Sequence, residues 1–123
     1  MTTTTSTTTT FDVDALRRAV EGRDADGQLA LYAPDAVIRT VDEQHGPSAP
    51  LTLEGAGAIG AYLRDVCDRD MTHTVSQAIA TDDRLAFEVR CAYPDGTRVL
   101  CQAIARLDGG RIVEQTGVQA WDH

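Results

Sequence analysis

The chain has 123 residues, one domain's worth of sequence, and 42% of them are apolar, just short of the usual share for a globular protein. A formal net charge of −8 repels phosphate backbones and argues against nucleic-acid binding, and no run approaches the ~20 continuous apolar residues that span a bilayer. The N-terminus has no charged segment followed by an apolar run, so no secretory signal or membrane partner is expected, and a cytoplasmic location follows by default.

Residues 1–10 are almost pure threonine, which buries nothing large; they read as a disordered tail ahead of a single domain over 11–123. Over 11–23, Val13, Leu16, Ala19 and Val20 recur at helical spacing, with Arg17 and Arg18 opposite and Gly22 closing the helix. Asp24 offers an N-cap for a second helix, 25–33, which would bury Leu29 and Tyr32 before Pro34 stops it. Residues 36–41 alternate and are β-branched, which predicts a strand, and 42–53, with Gly46, Pro47 and Pro50, reads as a loop. A third helix over 57–69 puts Ile59, Tyr62, Leu63 and Val66 on one stripe. The period then changes to two: 72–80, 84–93, 97–107 and 111–121 read as strands, joined by Thr-Asp-Asp, Pro-Asp-Gly and Asp-Gly-Gly turns. Short hairpin connections make these four antiparallel, and three helices over one face of such a sheet give an α+β layer arrangement.

Three segments resemble the nuclear-transport-factor-2-like (SnoaL-like) superfamily. Asp24-Ala25-Asp26-Gly27-Gln28-Leu29-Ala30-Leu31-Tyr32-Ala33-Pro34-Asp35-Ala36 is similar to its second-helix signature. Gly55-Ala56-Gly57-Ala58-Ile59 resembles the opening of its third helix, and Leu107-Asp108-Gly109-Gly110-Arg111-Ile112-Val113-Glu114 its last hairpin. The resemblance implies a cone-shaped curved antiparallel sheet wrapped by three N-terminal helices (a cystatin-like fold) around one mostly apolar cavity. It also implies a homodimer paired through the convex sheet face, and apolar residues on both faces of the last strands agree with that. It does not fix the activity, because the fold hosts isomerases, polyketide cyclases, epoxide hydrolases, dehydratases and non-catalytic association domains.

The acid and base positions of those relatives fall on neutral residues here. Leu16, Thr40 and Ala103 stand where ketosteroid isomerases keep a tyrosine, an aspartate base and a protonated aspartate. Gly117 stands where polyketide cyclases carry an acid. Arg90 fits the arginine of the epoxide hydrolases, but Ala92 and Gly117 do not supply their aspartates. Leu16, Thr40, Ala103 and Gly117 are therefore expected to line the cavity as binding surface.

Two ionisable residues remain as candidate catalytic groups. His73 opens the strand after the third helix, where a histidine is suited to proton transfer; its plain alternative is a rim residue capping backbone. Asp42 lies two residues beyond Thr40 and so on the same side, nearer the mouth; its alternative is a solvated turn residue. His45, in the Gly-Pro loop, reads as exposed or part of a lid. Tyr32 and Tyr62, each taken as helical, are expected to line the pocket or to pack in the core. Phe87, Val89 and Cys91 alternate on one face and form an expected inner wall, leaving Glu88 and Arg90 outside, paired across strands or at a dimer surface. Gln115, Gly117 and Gln119 share a face that is either inward, lining the cavity with two amides, or outward. Ile112, Val118 and Ala120 occupy the opposite face, so alternation leaves both open.

No metal is expected, because His45, His73 and His123 are scattered, and no cofactor, because Gly55-Ala56-Gly57 lacks the lysine and preceding strand of a phosphate loop. Cys67, Cys91 and Cys101 read as buried reduced thiols, and Trp121 as a core or interface anchor. Two functions fit. One is a cofactor-free isomerase, cyclase or dehydratase moving protons on a small apolar or polyketide-like molecule. The other is a non-catalytic ligand-binding or dimerisation module.

Overall fold

The first helix, α1 (Val13–Glu21), starts where Asp12 accepts the Ala15 backbone N–H at 2.9 Å, and it buries Leu16, Ala19 and Val20. The computed structural model describes residues 10–122, so the expected tail lies outside the described residues except for an exposed Thr10. Gly22 does close α1, but with φ −85°; the left-handed residue is Arg23, at φ 54°. Gly22 is required by space instead, since a Cβ there would lie 2.8 Å from the Arg18 carbonyl oxygen. The Arg23 guanidinium donates to the carbonyls of Arg69 and Met71 at 3.1 and 3.0 Å, which ties this turn to the exit of the third helix.

Asp24 caps α2 (Ala25–Leu29) as expected, accepting the Gly27 N–H at 2.9 Å. The helix is shorter than its pattern suggests. The Leu31 carbonyl accepts the Ile112 N–H at 2.9 Å, which draws the chain into the sheet, and Tyr32 opens β1 (Tyr32–Val41) instead of closing a helix. Tertiary pairing here outweighs local propensity. Pro34 is tolerated in β1 because it falls between Tyr32 and Val37, where the register with the neighbouring strand breaks. The expected loop over 42–53 also contains the start of a short strand, β2 (Leu51–Glu54), which the preceding Pro47 and Pro50 disguise. Gly55, at φ 85°, makes the turn from β2 directly into α3 (Gly55–Asp68).

The remaining strands are β3 (Thr72–Ala80), β4 (Arg84–Ala92), β5 (Arg98–Asp108) and β6 (Arg111–Asp122), within a residue or so of their expected limits. The α+β fold has one curved, unclosed six-stranded sheet in the order β2-β1-β6-β5-β4-β3. Every pairing is antiparallel except β1 with β6, which is parallel. The α1 helix packs on β3, α3 on β1, and α2 against α3. One apolar cluster, including Leu16, Val20, Leu85, Val89 and Ile112, fills the space under α1. A second, Ala36, Ile38, Ile59 and Leu63, lies under α3. Fully buried Ile59, Leu85 and Ile112 each contribute about 1.5–3 kcal/mol. Among the described residues no helix is long and apolar enough to cross a membrane.

Two bulges decide what the inside of the sheet contains. Val75 pairs with Val89 but Gln77 with Glu88, so Ser76 is an extra residue in β3. Arg106 pairs with Glu114 but Leu107 with Ile112, so Val113 is extra in β6. Each extra residue reverses the alternation. Ala78 and Ala80 pack inward beyond Ser76, and on its other side His73 and Val75 do so. Ile112 is buried, yet Gln115, Gly117 and Gln119 also face the interior. On the outer face Glu88 holds the first bulge, accepting from Ser76 Oγ and Gln102 Nε2 at 2.7 Å each. Those bonds and the nearby Arg90 keep its carboxyl below the usual range.

Candidate active site

Between the helices and the concave face lies an open cavity of about 570 Å3, within the range of small-molecule sites. Leu16, Tyr32, Thr40, Asp42, Tyr62, His73, Phe87, Val89, Ala103, Gln115, Gly117 and Gln119 all line it. Tyr32 reaches it from a strand, although its sequence surroundings read as helical, and Tyr62 reaches it from α3. Gly117 faces Ala103 across the β5–β6 pair, and a Cβ on Gly117 would lie 3.7 Å from that of Ala103, so this wall is smooth and uncharged.

The polar groups form three sets. In the first, Tyr32 Oη donates to Gln115 Oε1 at 2.9 Å; burial pushes the Tyr32 phenol upward, so it stays a neutral donor. In the second, Gln119 Nε2 donates to Tyr62 Oη at 3.3 Å, and Trp121 Nε1 donates to Gln119 Oε1 at 3.3 Å. Burial raises the Tyr62 phenol too. Trp121, expected as an anchor, stacks on Tyr93 with centroids 6.2 Å apart, and Arg69 bonds the Tyr93 hydroxyl at 3.3 Å.

The third set contains the histidine. His73 Nδ1 lies 3.1 Å from Cys91 Sγ, its direct partner across the β3–β4 pair. Its Nε2 is buried and has no hydrogen-bond partner. Cys91 was expected on the inner wall, but its pairing with His73 depends on the Ser76 bulge, which sequence periodicity does not reveal. Cys101, on the next strand, is a diagonal neighbour of Cys91 and also lines the cavity. All three cysteines are free thiols; Cys67 and Cys91 are buried and Cys101 is half-buried.

Asp42 and His45 sit at the mouth. Asp42 Oδ1 lies 2.9 Å from His45 Nδ1 and accepts the backbone N–H groups of Gln44 and His45 at 2.9 and 2.8 Å. Burial pushes this carboxyl up, but the bonds from His45 and the backbone outweigh it and hold it below the usual range. Asp42 thus fastens its own loop. Arg90 lies on the outer face, exposed beside Glu88 at 3.4 Å, and does not line the cavity. No three His, Cys, Asp or Glu side chains among the described residues are placed to share a metal ion.

A cone of helices on a curved sheet, with these residues inside it, agrees with the comparison to known families: a SnoaL-like domain model matches residues 13–115. The chain belongs to the SnoaL-like family. Solved structures agree in fold. An NTF2-like protein of unknown function from Mesorhizobium loti shares 20% identity over 87% of this SnoaL-like chain and 88% of its own, with a TM-score of 0.73. A Kribbella flavida DSM 17836 protein put forward as a ketosteroid isomerase shares 17% over 89% and 76%, with a TM-score of 0.70. An LEH-like epoxide hydrolase of M. tuberculosis shares 18% over 88% and 79%, with a TM-score of 0.65. No curated protein sequence matches the chain.

Proposed function

We propose that this SnoaL-like protein holds a small, largely apolar molecule, such as a polyketide-like ketone, and moves a proton on it without a cofactor. The class is isomerisation, cyclisation or dehydration. One observation carries the reading: His73 lines an apolar cavity, and its Nε2 is buried without a hydrogen-bond partner. With Nδ1–H donated to Cys91, the neutral imidazole presents its Nε2 lone pair as a base. The Tyr32–Gln115 and Tyr62–Gln119 pairs supply neutral donors able to hold a carbonyl oxygen as it gains charge. Asp42 is assigned to the mouth loop, where three groups of that loop hold its Oδ1.

The test needs no natural substrate. Small β,γ-unsaturated ketones that bind by thermal shift are followed by NMR in deuterium oxide. Wild-type protein is expected to accelerate exchange of the acidic C–H, and His73→Gln to bind without accelerating it. Equal acceleration by the variant would remove His73 from this role. Binding with no exchange in either protein would favour a ligand-binding module, a reading supported by the neutral Leu16, Thr40, Ala103 and Gly117.

The same proposal includes a homodimer. Ile79, Ala86 and Ile104 pair in a row across β3, β4 and β5 on the outer face, with Val118 on β6 nearby. Ile79, Ile104 and Val118 are more than half exposed, an apolar patch that a second copy would cover. Light scattering is expected to give a dimer mass for the native chain and a monomer for Ile104→Glu; a native monomer would end this part.

A further inference from the structure

Three strands direct side chains at one sulfur. Cys91 stands on β4, with His73 directly opposite on β3 and Nδ1 at 3.1 Å. Cys101 is two positions removed on β5, where Cys91 pairs with Val99 and Val89 with Cys101, so the two thiols are diagonal neighbours on the inner face. All three residues line the cavity.

We infer that Cys91 is a nucleophilic thiol built into the cavity wall, and that it takes electrophilic α,β-unsaturated carbonyl molecules as covalent ligands. The His73 Nδ1–H at 3.1 Å, with the Cys101 thiol as a diagonal neighbour, favours the anion of the sulfur, which is the attacking form. The cavity, about 570 Å3 in volume, has room for an apolar electrophile.

The Cys91 thiol is pushed down to about 5: the bond from Cys101 acts most, burial opposes it, and His73 adds to the lowering. Cys101 moves the other way and stays protonated, as a donor must. Cys67 shows a thiol on which burial outweighs a single hydrogen bond. It lies on α3 with Gln28 Nε2 at 3.4 Å, and burial raises its thiol. The titratable groups acting on the Cys91 pair are His73 from β3, Cys101 from β5 and, beside Cys101, Tyr62 from α3.

The step balances without a co-reactant. Cys91 reacts as the thiolate, its proton already released to solvent while the His73 Nδ1–H donates to the sulfur, and it attacks the β-carbon. A carbon–sulfur bond forms, and the C=C π pair moves to the α-carbon as an enolate. A proton from water adds there, replacing the one Cys91 released, and leaves a thioether beside a neutral histidine. The site goes beyond the proposed proton transfer, because labelling requires no turnover.

The probe is 2-cyclohexen-1-one, applied to reduced, desalted, full-length protein and read by intact mass and peptide mapping. One adduct is expected, on Cys91. Its rate should change less than about twofold between pH 8 and pH 6, whereas an ordinary thiol of pKa ~8.5 slows roughly 75-fold over that range. Cys91→Ser should lose the adduct, and if that variant does not fold, mapping of the native chain still decides. An adduct on Cys67 or Cys101, no adduct, or the steep profile of an ordinary thiol would each overturn the inference.

Discussion

Two histidines of this protein turn Nδ1 toward an acidic side chain, with different results. At the mouth, His45 meets Asp42 at 2.9 Å, with side chains 36% and 17% exposed, and the same carboxylate also holds two backbone N–H groups of its own turn. Inside, His73 meets a thiol at 3.1 Å, and its other nitrogen is buried and unclaimed. The first pair is a local fastener whose bonds to Asp42 Oδ1 all come from within four residues of chain. The second joins two strands and keeps one nitrogen in reserve. Residue type makes both histidines candidates; what the far nitrogen meets separates them.

The largest effect expected from breaking this contrast is on chemistry. His73→Gln should slow ketone exchange by about 10²–10⁴-fold, the usual worth of a general base, while His45→Gln stays within about threefold. Comparable losses in both would place the working group at the mouth. Next come the polar anchors. Tyr32→Phe leaves Gln115 Oε1 without its 2.9 Å donor and should cost about 1–2 kcal/mol in urea unfolding. Tyr62→Phe, with a 3.3 Å bond, should cost less, about 0.5–1 kcal/mol.

The smallest effect is on the fastener. Asp42→Asn removes a charged acceptor and should cost about 0.5–1 kcal/mol at pH 6. The native Asp42 carboxyl lies below its unfolded value, so its contribution is complete above about pH 4 and disappears as pH falls through the folded value. Urea midpoints of native protein and variant should therefore converge in acid. A gap that persists at pH 2 would show that shape, not charge, holds the loop.

Much of the architecture is legible in the chain. The period-two runs and their turns fix the four-strand meander, and capping by Asp24 together with the α3 stripe fixes two helices. The start of β1 is not legible, because the bond that ends α2 comes from Ile112, eighty-one residues after Leu31. Nor is β2, a four-residue edge strand set between a proline and a glycine. The cavity lining on β4 follows directly from alternation. The orientation of Gln115 and Gln119 does not, because Val113 reverses the pattern between Ile112 and them. The His73–Cys91 contact is hidden for the same reason: counted back from the hairpin without the bulge, His73 would face Ala92 and point outside.

Ser76 and Val113 therefore act on the pocket in a way no lining residue does. A substitution at the wall exchanges one side chain. Were Ser76 taken into the ladder as a paired residue, the strand's first half would slip by one, setting Thr74 opposite Cys91 and Ser76 opposite Val89, where His73 and Val75 now stand. Pairing Val113 with Arg106 in the same way would turn Glu114, Thr116 and Val118 inward in place of Gln115, Gly117 and Gln119 at one stroke. In this sheet, whether a bulge forms decides more of the interior than any single lining residue does.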